Sequence, residues 1–319
     1  RRRGPLGIYA WLVQNGYETS LYRPSCDAFK VDNHDLPIDV TIENTDACRR
    51  YACLSMTDCE VKESPQWLKD KLNIIGLRPI NNIVDITNYI MMAYGQPMHC
   101  FDADMVKGNH IIVKDKNEGK KFVTLDGDEH TLGEHDLAIC NEEDPMCIAG
   151  VFGGKGSGTY ETTKNIVLES AYFHPTWIRK SARRHGLSTD ASFRFERGID
   201  PNGVIYALKQ AAILCEELAG GKVSMDIRDV YPTKMEGFPV RLNYEYCDCL
   251  IGKKLGNDTI KRIVESLEMK VEKEDAEGLN LLVPPYRVDV QRPCDVVEDI
   301  LRIYGYNNVE IPTELKSSL

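Results

Sequence analysis

Long apolar segments are missing from this sequence of 319 residues. No stretch approaches the roughly 20 apolar residues that a membrane-spanning helix requires. The opening run Arg1-Arg2-Arg3-Gly4 has no apolar signal-peptide core behind it. We therefore expect an unsecreted, cytoplasmic protein with no membrane partner.

Paired cysteine motifs are also missing, although the chain contains 11 cysteines. The closest pair, Cys247 and Cys249, is separated by one residue, and no pair of C-x-x-C units occurs. We interpret the thiols as small buried apolar groups in a reducing cytosol, and we expect no zinc.

Positive charge is in deficit, with 39 Lys and Arg against 49 Asp and Glu, a formal net charge of -10. Contact with nucleic acid therefore has to use a local basic patch or a partner. Neither the G-x-x-x-x-G-K-[ST] nor the G-x-G-x-x-G phosphate-binding motif is present.

The residues that are present predict a mixed α/β, or α+β, protein of two or three domains. Residues 1–36 are interpreted as the remnant of a preceding module and its connector. Residues 37–232 are expected to contain a mixed sheet, 233–312 a compact α+β unit, and 313–319 a tail. Helical periodicity, with Ser64 as the first cap, predicts helices at 65–75, 82–94, 175–185, 201–219, 244–251, 258–268 and 295–304. Apolar β-rich runs predict strands at 111–113, 122–125, 137–139, 146–149, 166–168, 269–273 and 279–284.

Two connecting segments are interpreted as loops. His99 follows the helix that ends before Gly95, so we expect it on a turn. Ser188–Asp200 is rich in charge and is expected to be a polar loop. Asp126-Gly127 lies between two β-rich runs and indicates a hairpin.

Five glycines in nine residues, from Gly150 to Gly158, make the most unusual local composition of the chain. Such density lets the backbone approach a ligand closely and turns amides toward it. A bulged hairpin with no ligand explains the same glycines. The sequence leaves both interpretations open.

Glu169 and His99 are the two candidates for chemistry. Glu169 follows the apolar run Ile166-Val167-Leu168, where it is either a solvated strand end or an inward-facing acceptor for a hydroxyl. His99 has a neutral acceptor nitrogen near physiological pH and is able to orient a water. A turn histidine bonded to nearby backbone is the alternative.

Two charged clusters complete the candidates. The helix segment Arg179–His185 either faces phosphates or is a solvated basic face. Asp289, Asp295, Glu298 and Asp299 place carboxylates together, the last three on one helix face. They either bind a hard cation or serve the helix N-terminus, with Asp295 as its cap.

As a set, several stretches resemble the β-subunit family of bacterial phenylalanyl-tRNA synthetases, in order and spacing over about residues 37–312. They are Gly76-Leu77-Arg78-Pro79-Ile80-Asn81-Asn82, Gln96-Pro97-Met98-His99, Phe152-Gly153-Gly154, Arg183-Arg184-His185-Gly186, Thr189-Asp190-Ala191-Ser192, Arg194-Phe195-Glu196-Arg197-Gly198 and Tyr304-Gly305-Tyr306-Asn307-Asn308. The resemblance implies a B3/B4 editing domain at 37–232 and a winged-helix-like B5 domain at 233–312. Residues 1–36 then correspond to the end of a B1 region.

The resemblance also implies an activity, which is hydrolysis of tyrosine wrongly attached to tRNA(Phe). Glu169 accepts the phenolic hydroxyl in this interpretation, and His99 and Thr189 join it as catalytic residues. The implied substrate-binding residues are Asn88, Gly150, Gly153, Glu169 and Ala191.

Further implications concern cofactors and partners. Asp289, Asp295, Glu298 and Asp299 correspond to ligands of a magnesium ion shared with the α subunit, with Asp299 standing where Glu is usual. None of the class II synthetase motifs is present, so ATP binds only at the α subunit of an expected α2β2 heterotetramer. The RNA partner is tRNA(Phe).

Two competing functions remain at this level. One is a structural, tRNA-binding scaffold with an inert pocket, which the acidic net charge favours. The other is DNA binding through the winged-helix-like unit, which has few basic clusters beyond Lys253-Lys254 and Lys261-Arg262.

Overall fold

The computed structural model describes residues 3–310 and divides them into two compact units. The first unit is residues 24–234, and the second combines residues 3–23 with 235–310. None of the helices within 3–310 is long and apolar enough to cross a membrane. All eleven cysteines are free thiols, and most are buried.

Both units contain helices and strands. The helices are α1 (Arg3–Gln14), α2 (Gln66–Ile74), α3 (Asn82–Tyr94), α4 (Pro175–His185), α5 (Asp190–Phe195), α6 (Val204–Ala219), α7 (Tyr244–Ile251), α8 (Asn257–Ser266) and α9 (Pro293–Tyr304). The strands are β1 (Asp39–Ile42), β2 (Cys48–Thr57), β3 (Met98–Asp102), β4 (His110–Lys114), β5 (Lys121–Val123), β6 (Glu129–Thr131), β7 (Ala138–Cys140), β8 (Pro145–Ile148), β9 (Phe152–Gly153), β10 (Ile166–Phe173), β11 (Lys222–Val223), β12 (Arg228–Val230), β13 (Phe238–Asn243), β14 (Lys270–Asp275) and β15 (Gly278–Val283).

The first unit is built on two sheets. One has the order β1-β4-β7-β8-β9 and is mixed, because β1 runs parallel to β4 while its other pairs are antiparallel. The other has the order β11-β2-β10-β3 and is antiparallel. Every residue of β10 is buried, and α6 packs on it, so this strand lies in the core. The expected mixed sheet is confirmed.

Local signals fix the helices of this unit. Asn81 caps α3 by accepting the amide of Val84, and Gly95 ends the helix with a left-handed φ of 79°. Pro175 occupies the first turn of α4, and Gly186 ends it at φ 65°. The predicted helices at 82–94 and 175–185 therefore have the bounds that their caps indicated.

The second unit packs four helices and a three-stranded antiparallel sheet, β13-β15-β14. Its core includes Leu6 and Ala10 of α1 beside residues of α7, α8, α9 and the sheet. The sequence analysis predicted that residues 1–36 form a single N-terminal segment. The structure instead groups residues 3–23 with this core and residues 24–36 with the first unit. Burial of an apolar helix face explains the grouping.

Several local predictions are wrong. Ser64 does not cap α2, because its hydroxyl donates to the buried Asp85 at 2.6 Å and Pro65 takes the cap position. His99 is in β3, not on a turn, because its backbone pairs with β10. The segment Ser188–Asp200 contains helix α5, whose Ser192 and Phe195 are buried. Helix α6 begins at Val204 after a turn, three residues later than expected.

Candidate functional site

Glu169 lies in the middle of β10, not at its end. Its neighbours across the sheet are His99 on β3 and Cys53 on β2. The residue is only 5% exposed, so the interpretation of a solvated strand end is wrong. A carboxyl group in this position is costly without a partner.

Tyr51 is the protein partner of that carboxyl group. Its hydroxyl donates to Oε2 of Glu169 at 3.0 Å, and both side chains are buried. Burial raises the pKa of Glu169 to about 8, although the Tyr51 hydrogen bond acts in the opposite direction. Tyr51 remains a phenol, because burial and the charge of Glu169 raise its own pKa well above the ordinary value.

His99 presents a nitrogen that no protein group satisfies. Its Nε2 atom is buried and has no hydrogen-bond partner among residues 3–310. Burial lowers the pKa of His99 to about 4, so the ring is neutral at physiological pH. Phe101 holds the ring edge-on at 4.5 Å between centroids. A buried imidazole nitrogen without a partner is a place for a water or a ligand atom.

His99 and Glu169 line a partly open cavity of about 60 Å³. Residues of the glycine segment and of α5 line it as well. The complete lining is Pro97, Met98, His99, Cys147, Gly150, Val151, Phe152, Gly153, Glu169, Ala191 and Phe195. This space is large enough to hold ordered water, and it opens to the outside.

Two glycines of the wall have no room for a side chain. A Cβ at Gly153 would lie 2.7 Å from Cε1 of His99, and one at Gly150 would lie 2.9 Å from the Phe195 ring. Gly150 also has φ +66°, which an L-residue rarely adopts. The segment is therefore both a short antiparallel pairing, β8 with β9, and a wall of the cavity.

Five of the predicted site residues come together at this cavity: His99, Gly150, Gly153, Glu169 and Ala191. Two others are not among its lining residues. Asn88 is half-buried on α3, and Thr189 caps α5. The Thr189 hydroxyl donates to the carbonyl of Val151 at 2.9 Å, so it supports the wall from behind.

Tyr51 and Cys147 are the residues that sequence analysis missed. Tyr51 lies on β2, a strand that was not predicted although its apolar run from Tyr51 to Met56 is a strand signal. Cys147 lies on β8, and its thiol contacts the carbonyl of Phe152 at 3.3 Å. The register of β2 with β10 brings Tyr51 to Glu169, and Cys147 reaches the same cavity from the other sheet.

The acidic cluster of the second unit is paired with arginines. Arg287 forms ion pairs with Asp289 and with the buried Asp299. Arg302 pairs with Glu298 at 2.7 Å, and Arg292 pairs with Asp295 at 2.8 Å. Asp295 also accepts the backbone amide of Arg292 at 3.0 Å and so forms part of a capping box, but Arg292 takes the cap position that was considered for Asp295. Across residues 3–310 the structure contains no cluster of three or more His, Cys, Asp or Glu arranged for a metal.

The basic helix α4 exposes Arg179, Lys180, Arg183 and Arg184. Arg184 forms an ion pair with the buried Asp136 at 3.3 Å, beneath the helix. The other three side chains project from the outer face, where they are available to an anion.

Comparison with known proteins identifies the family. The B3/4 domain matches residues 47–220, more than half of the chain, and the tRNA synthetase B5 domain matches residues 240–306. The β subunit of phenylalanine–tRNA ligase from Bacteroides fragilis is 65% identical over 312 residues, which is 98% of this chain. The chain belongs to the phenylalanine–tRNA ligase β-subunit family.

The chain corresponds to only part of the length of these relatives. The chain spans 38% of the Bacteroides fragilis protein and 38% of the 46% identical β subunit from Porphyromonas gingivalis. A solved N-terminal fragment of the β subunit from Pyrococcus horikoshii covers 93% of this chain with 17% identity and a TM-score of 0.41, too distant to support inference. His99 and Glu169 lie inside the B3/4 match, and the arginine-paired carboxylates lie inside the B5 match.

Proposed function

We propose that the first unit is a proofreading esterase of phenylalanine–tRNA ligase, which removes tyrosine from wrongly charged tRNA(Phe). One observation carries the proposal: the carboxyl of Glu169 is buried at a cavity beside a neutral, unpartnered His99 nitrogen. Tyr51 donates to one oxygen of this carboxyl, and a ligand that donates to the other oxygen further offsets the cost of burial. The family match supports the same assignment.

Discrimination rests on the difference of one hydroxyl between tyrosine and phenylalanine. A tyrosine phenol donates a hydrogen bond to the Glu169 oxygen that Tyr51 does not use. A phenylalanine ring displaces water from the carboxyl but offers no hydrogen bond to replace it. Sites built to bond a hydroxyl reject the analogue that lacks it far more strongly than apolar pockets reject a methylene. The penalty falls on the cognate amino acid, which is what an editing site requires.

A water attacks the carbonyl carbon of the ester, the bond from that carbon to the ribose oxygen breaks, and the ribose oxygen takes up the proton that the water loses. The Nε2 atom of His99 accepts a hydrogen bond from this water and orients it, since the ring is neutral. Backbone amides of the glycine segment are the available donors to the developing oxyanion. The Thr189 hydroxyl is committed to Val151, so its role is support of this wall.

The partners and cofactors follow from the family. We propose a cytoplasmic α2β2 ligase in which the α subunit binds ATP and activates phenylalanine, and the chain contacts tRNA(Phe). Magnesium shared with the α subunit is implied by the resemblance. Asp289, Asp295, Glu298 and Asp299 do not fit that ion as arranged, because arginines neutralise each of them. No step of the proposed reaction uses magnesium.

A scaffold with an inert pocket is the second candidate function. The cavity favours it in one respect, since its volume is small, about 60 Å³. Deacylation by the complete ligase separates the two functions. The editing proposal expects release of tyrosine from tRNA(Phe) to be much faster than release of phenylalanine, whereas equal slow release of both identifies a scaffold.

Gly153→Ala is expected to abolish most of the tyrosine deacylation while the protein stays folded. The new methyl group meets the His99 ring at 2.7 Å and occupies space where the substrate must lie. A misplacement of about 1 Å in a reacting group costs about a hundredfold in rate. The measurement is single-turnover deacylation of tyrosyl-tRNA(Phe).

Gly156→Ala is the matched control. It lies in the same segment, and a Cβ there meets no atom within 4 Å. Its deacylation rate should equal that of the wild type. Full activity in Gly153→Ala would remove this wall from the substrate site.

Neutralising the outer face of α4 should weaken tRNA binding. In Arg179→Gln/Lys180→Gln, two exposed cations that face solvent are lost. Each cation that contacts a phosphate contributes about 0.7 to 0.9 to the slope of log affinity against log salt. We expect that slope to fall by up to about two in filter binding of tRNA(Phe).

The control neutralises two exposed lysines elsewhere in the same unit, Lys62→Gln/Lys222→Gln. Both side chains are about half exposed and pair with acidic neighbours. Their loss changes the net charge equally but removes no free cation from α4. If both double variants reduce the slope alike, the basic face of α4 is not a tRNA contact.

A further inference from the structure

Tyr51 and Glu169 are diagonal neighbours on one face of the antiparallel sheet. Glu169 on β10 lies opposite Cys53 on β2, and Tyr51 is two residues along the same strand. Side chains with this relation lie on the same face and within reach of each other. The Tyr51 hydroxyl is fully buried and donates to Oε2 at 3.0 Å.

This contact places a phenol of the protein on the group that is meant to select a phenol of the substrate. A carboxylate has two oxygens and about four acceptor sites, so one phenol does not saturate it. The Tyr51 hydrogen bond restrains the carboxyl rotation and leaves Oε1 as the acceptor for a second donor. The two oxygens of the carboxyl therefore differ: Oε2 accepts from Tyr51, and Oε1 is left for the substrate.

We propose that Tyr51 is a positioning residue that holds the Glu169 carboxyl in one orientation and favours its ionised form, so that Oε1 meets the substrate's phenol. The inference rests on the proposed editing function and assigns its selectivity to two residues instead of one. Tyr51 need not touch the substrate, because it acts through the carboxyl group.

The electrostatics agree with this geometry. Burial opposes ionisation of Glu169, and the Tyr51 hydrogen bond is the protein contact that favours the carboxylate and lowers its pKa. A hydrogen bond to a charged acceptor is about twice as strong as one between neutral groups. Losing the phenol should therefore convert Glu169 into a neutral carboxylic acid over a wider range of pH.

The other titratable groups around Glu169 do not change charge near neutral pH. The thiols of Cys48 and Cys53 face it from β2, and the thiol of Cys147 faces it from β8. Burial raises the pKa of each thiol above its ordinary value. From β3 His99 faces it and stays neutral above a pKa of about 4. Between about pH 6 and 9 the charge at this site is therefore that of Glu169.

The experiment compares the complete ligase with its Tyr51→Phe variant from pH 6 to 9. The ratio of tyrosyl-tRNA(Phe) to phenylalanyl-tRNA(Phe) deacylation should rise with pH in the wild type, with a midpoint near the Glu169 pKa of about 8. In Tyr51→Phe that midpoint should move upward, so that the ratio is still rising at pH 9, because the hydrogen bond that favours the carboxylate is lost. At neutral pH the ratio should fall by about 10- to 100-fold.

The matched control is Tyr244→Phe. Tyr244 also donates its phenol to a carboxylate, that of Glu274 at 3.1 Å, but in the second unit. Its midpoint should equal that of the wild type. An unchanged midpoint in Tyr51→Phe, together with an unchanged ratio, overturns the inference.

A second measurement separates this inference from the editing proposal. The carboxyl carbon of Glu169, labelled with ¹³C, should titrate with a midpoint near 8 in the wild type and higher in Tyr51→Phe, whatever the substrate. A wild type without tyrosine selectivity defeats the editing proposal, yet this titration still decides the role of Tyr51. If Tyr51→Phe does not fold, the wild-type Tyr51 ring carbon bearing the hydroxyl should follow the same titration, and a signal independent of pH overturns the inference.

Discussion

Glu169→Gln is expected to remove the preference of the complete ligase for tyrosyl-tRNA(Phe) over phenylalanyl-tRNA(Phe). The carboxylate that rewards the tyrosine hydroxyl is lost, and the ratio of the two deacylation rates should fall by about 10- to 100-fold. The fall should come from slower release of tyrosine, because phenylalanine has no hydroxyl to lose. Single-turnover deacylation of the two aminoacyl-tRNAs measures both rates.

Glutamine is a better choice than alanine for this test. Its amide oxygen still accepts the Tyr51 hydroxyl, which otherwise becomes a buried donor without a partner. It also fills the same volume, so the cavity near His99 keeps its shape. A change in selectivity then reports the loss of charge and acceptor capacity, and not a collapse of the sheet.

The control substitutes an exposed carboxylate of the same unit, Glu161→Gln. It removes the same charge from the surface, where water screens it, and the rate ratio should not change. An unaltered ratio in Glu169→Gln contradicts the hydroxyl-acceptor mechanism and leaves the scaffold function as the better account.

The strand that carries Glu169 was predictable, whereas its neighbours were not. The apolar run from Ile166 to Leu168 predicted β10, and caps predicted α3 and α4 to the residue. The sequence could not tell whether Glu169 ended the strand or continued it. The answer depends on β2, because pairing with β2 extends β10 to Phe173 and leaves Glu169 between β2 and β3.

Side-chain partners across a sheet are the information that one sequence does not contain. Tyr51 precedes Glu169 by 118 residues, and only their register in adjacent strands brings the phenol to the carboxyl group. Residue type identified His99 and the glycine segment 150–158 as candidates, because a lone histidine and glycine density are visible locally, whereas the resemblance singled out Gly150, Gly153 and Ala191. Asn88 and Thr189 came from the resemblance, and the structure places both outside the cavity lining.

The acidic cluster was misjudged for the opposite reason, because its local spacing suggested a cation site where the structure has ion pairs with arginines. Asp295, Glu298 and Asp299 share a helix face, as the i, i+3 and i, i+4 pattern indicated. Like charges at this spacing suggested a cation, but arginines supply the positive charge: Arg287, Arg292 and Arg302. Arg287 stands two residues before Asp289 in the sequence, so a partner for the cluster was close at hand.

Asp136→Ala is expected to destabilise the first unit by about 3 to 5 kcal/mol, the usual cost of removing one partner from a buried charged network. The carboxylate is fully buried and accepts from the Gly133 amide at 2.8 Å, the Ser181 hydroxyl at 2.7 Å and His185 Nε2 at 2.7 Å. It thereby joins α4 to the loop before β7. Urea unfolding, with amide exchange of α4 as the local probe, measures the loss.

The effect should extend from stability to the cavity. Leu137, next to Asp136, accepts the amide of Ala149 at 2.9 Å, directly before the glycine wall at Gly150. Release of this loop should loosen the wall and lower the tyrosine deacylation rate in the same variant. Glu134→Gln is the control, since Glu134 is exposed in the same loop and its loss should change neither quantity.

The pH dependence of the Asp136 contribution has a definite sign. Burial acts to raise the pKa of Asp136, but hydrogen bonds from Gly133, Ser181 and His185 outweigh it and leave the folded-state pKa below the ordinary value. The stabilisation is therefore complete above the unfolded-state pKa of about 3.9 and is lost as the pH falls through the lower folded-state value. The difference in unfolding free energy between wild type and Asp136→Asn should be constant near neutral pH and shrink in acid. A difference that grows as the pH falls would mean that the buried group is a neutral acid, and the ionic account of this junction would be wrong.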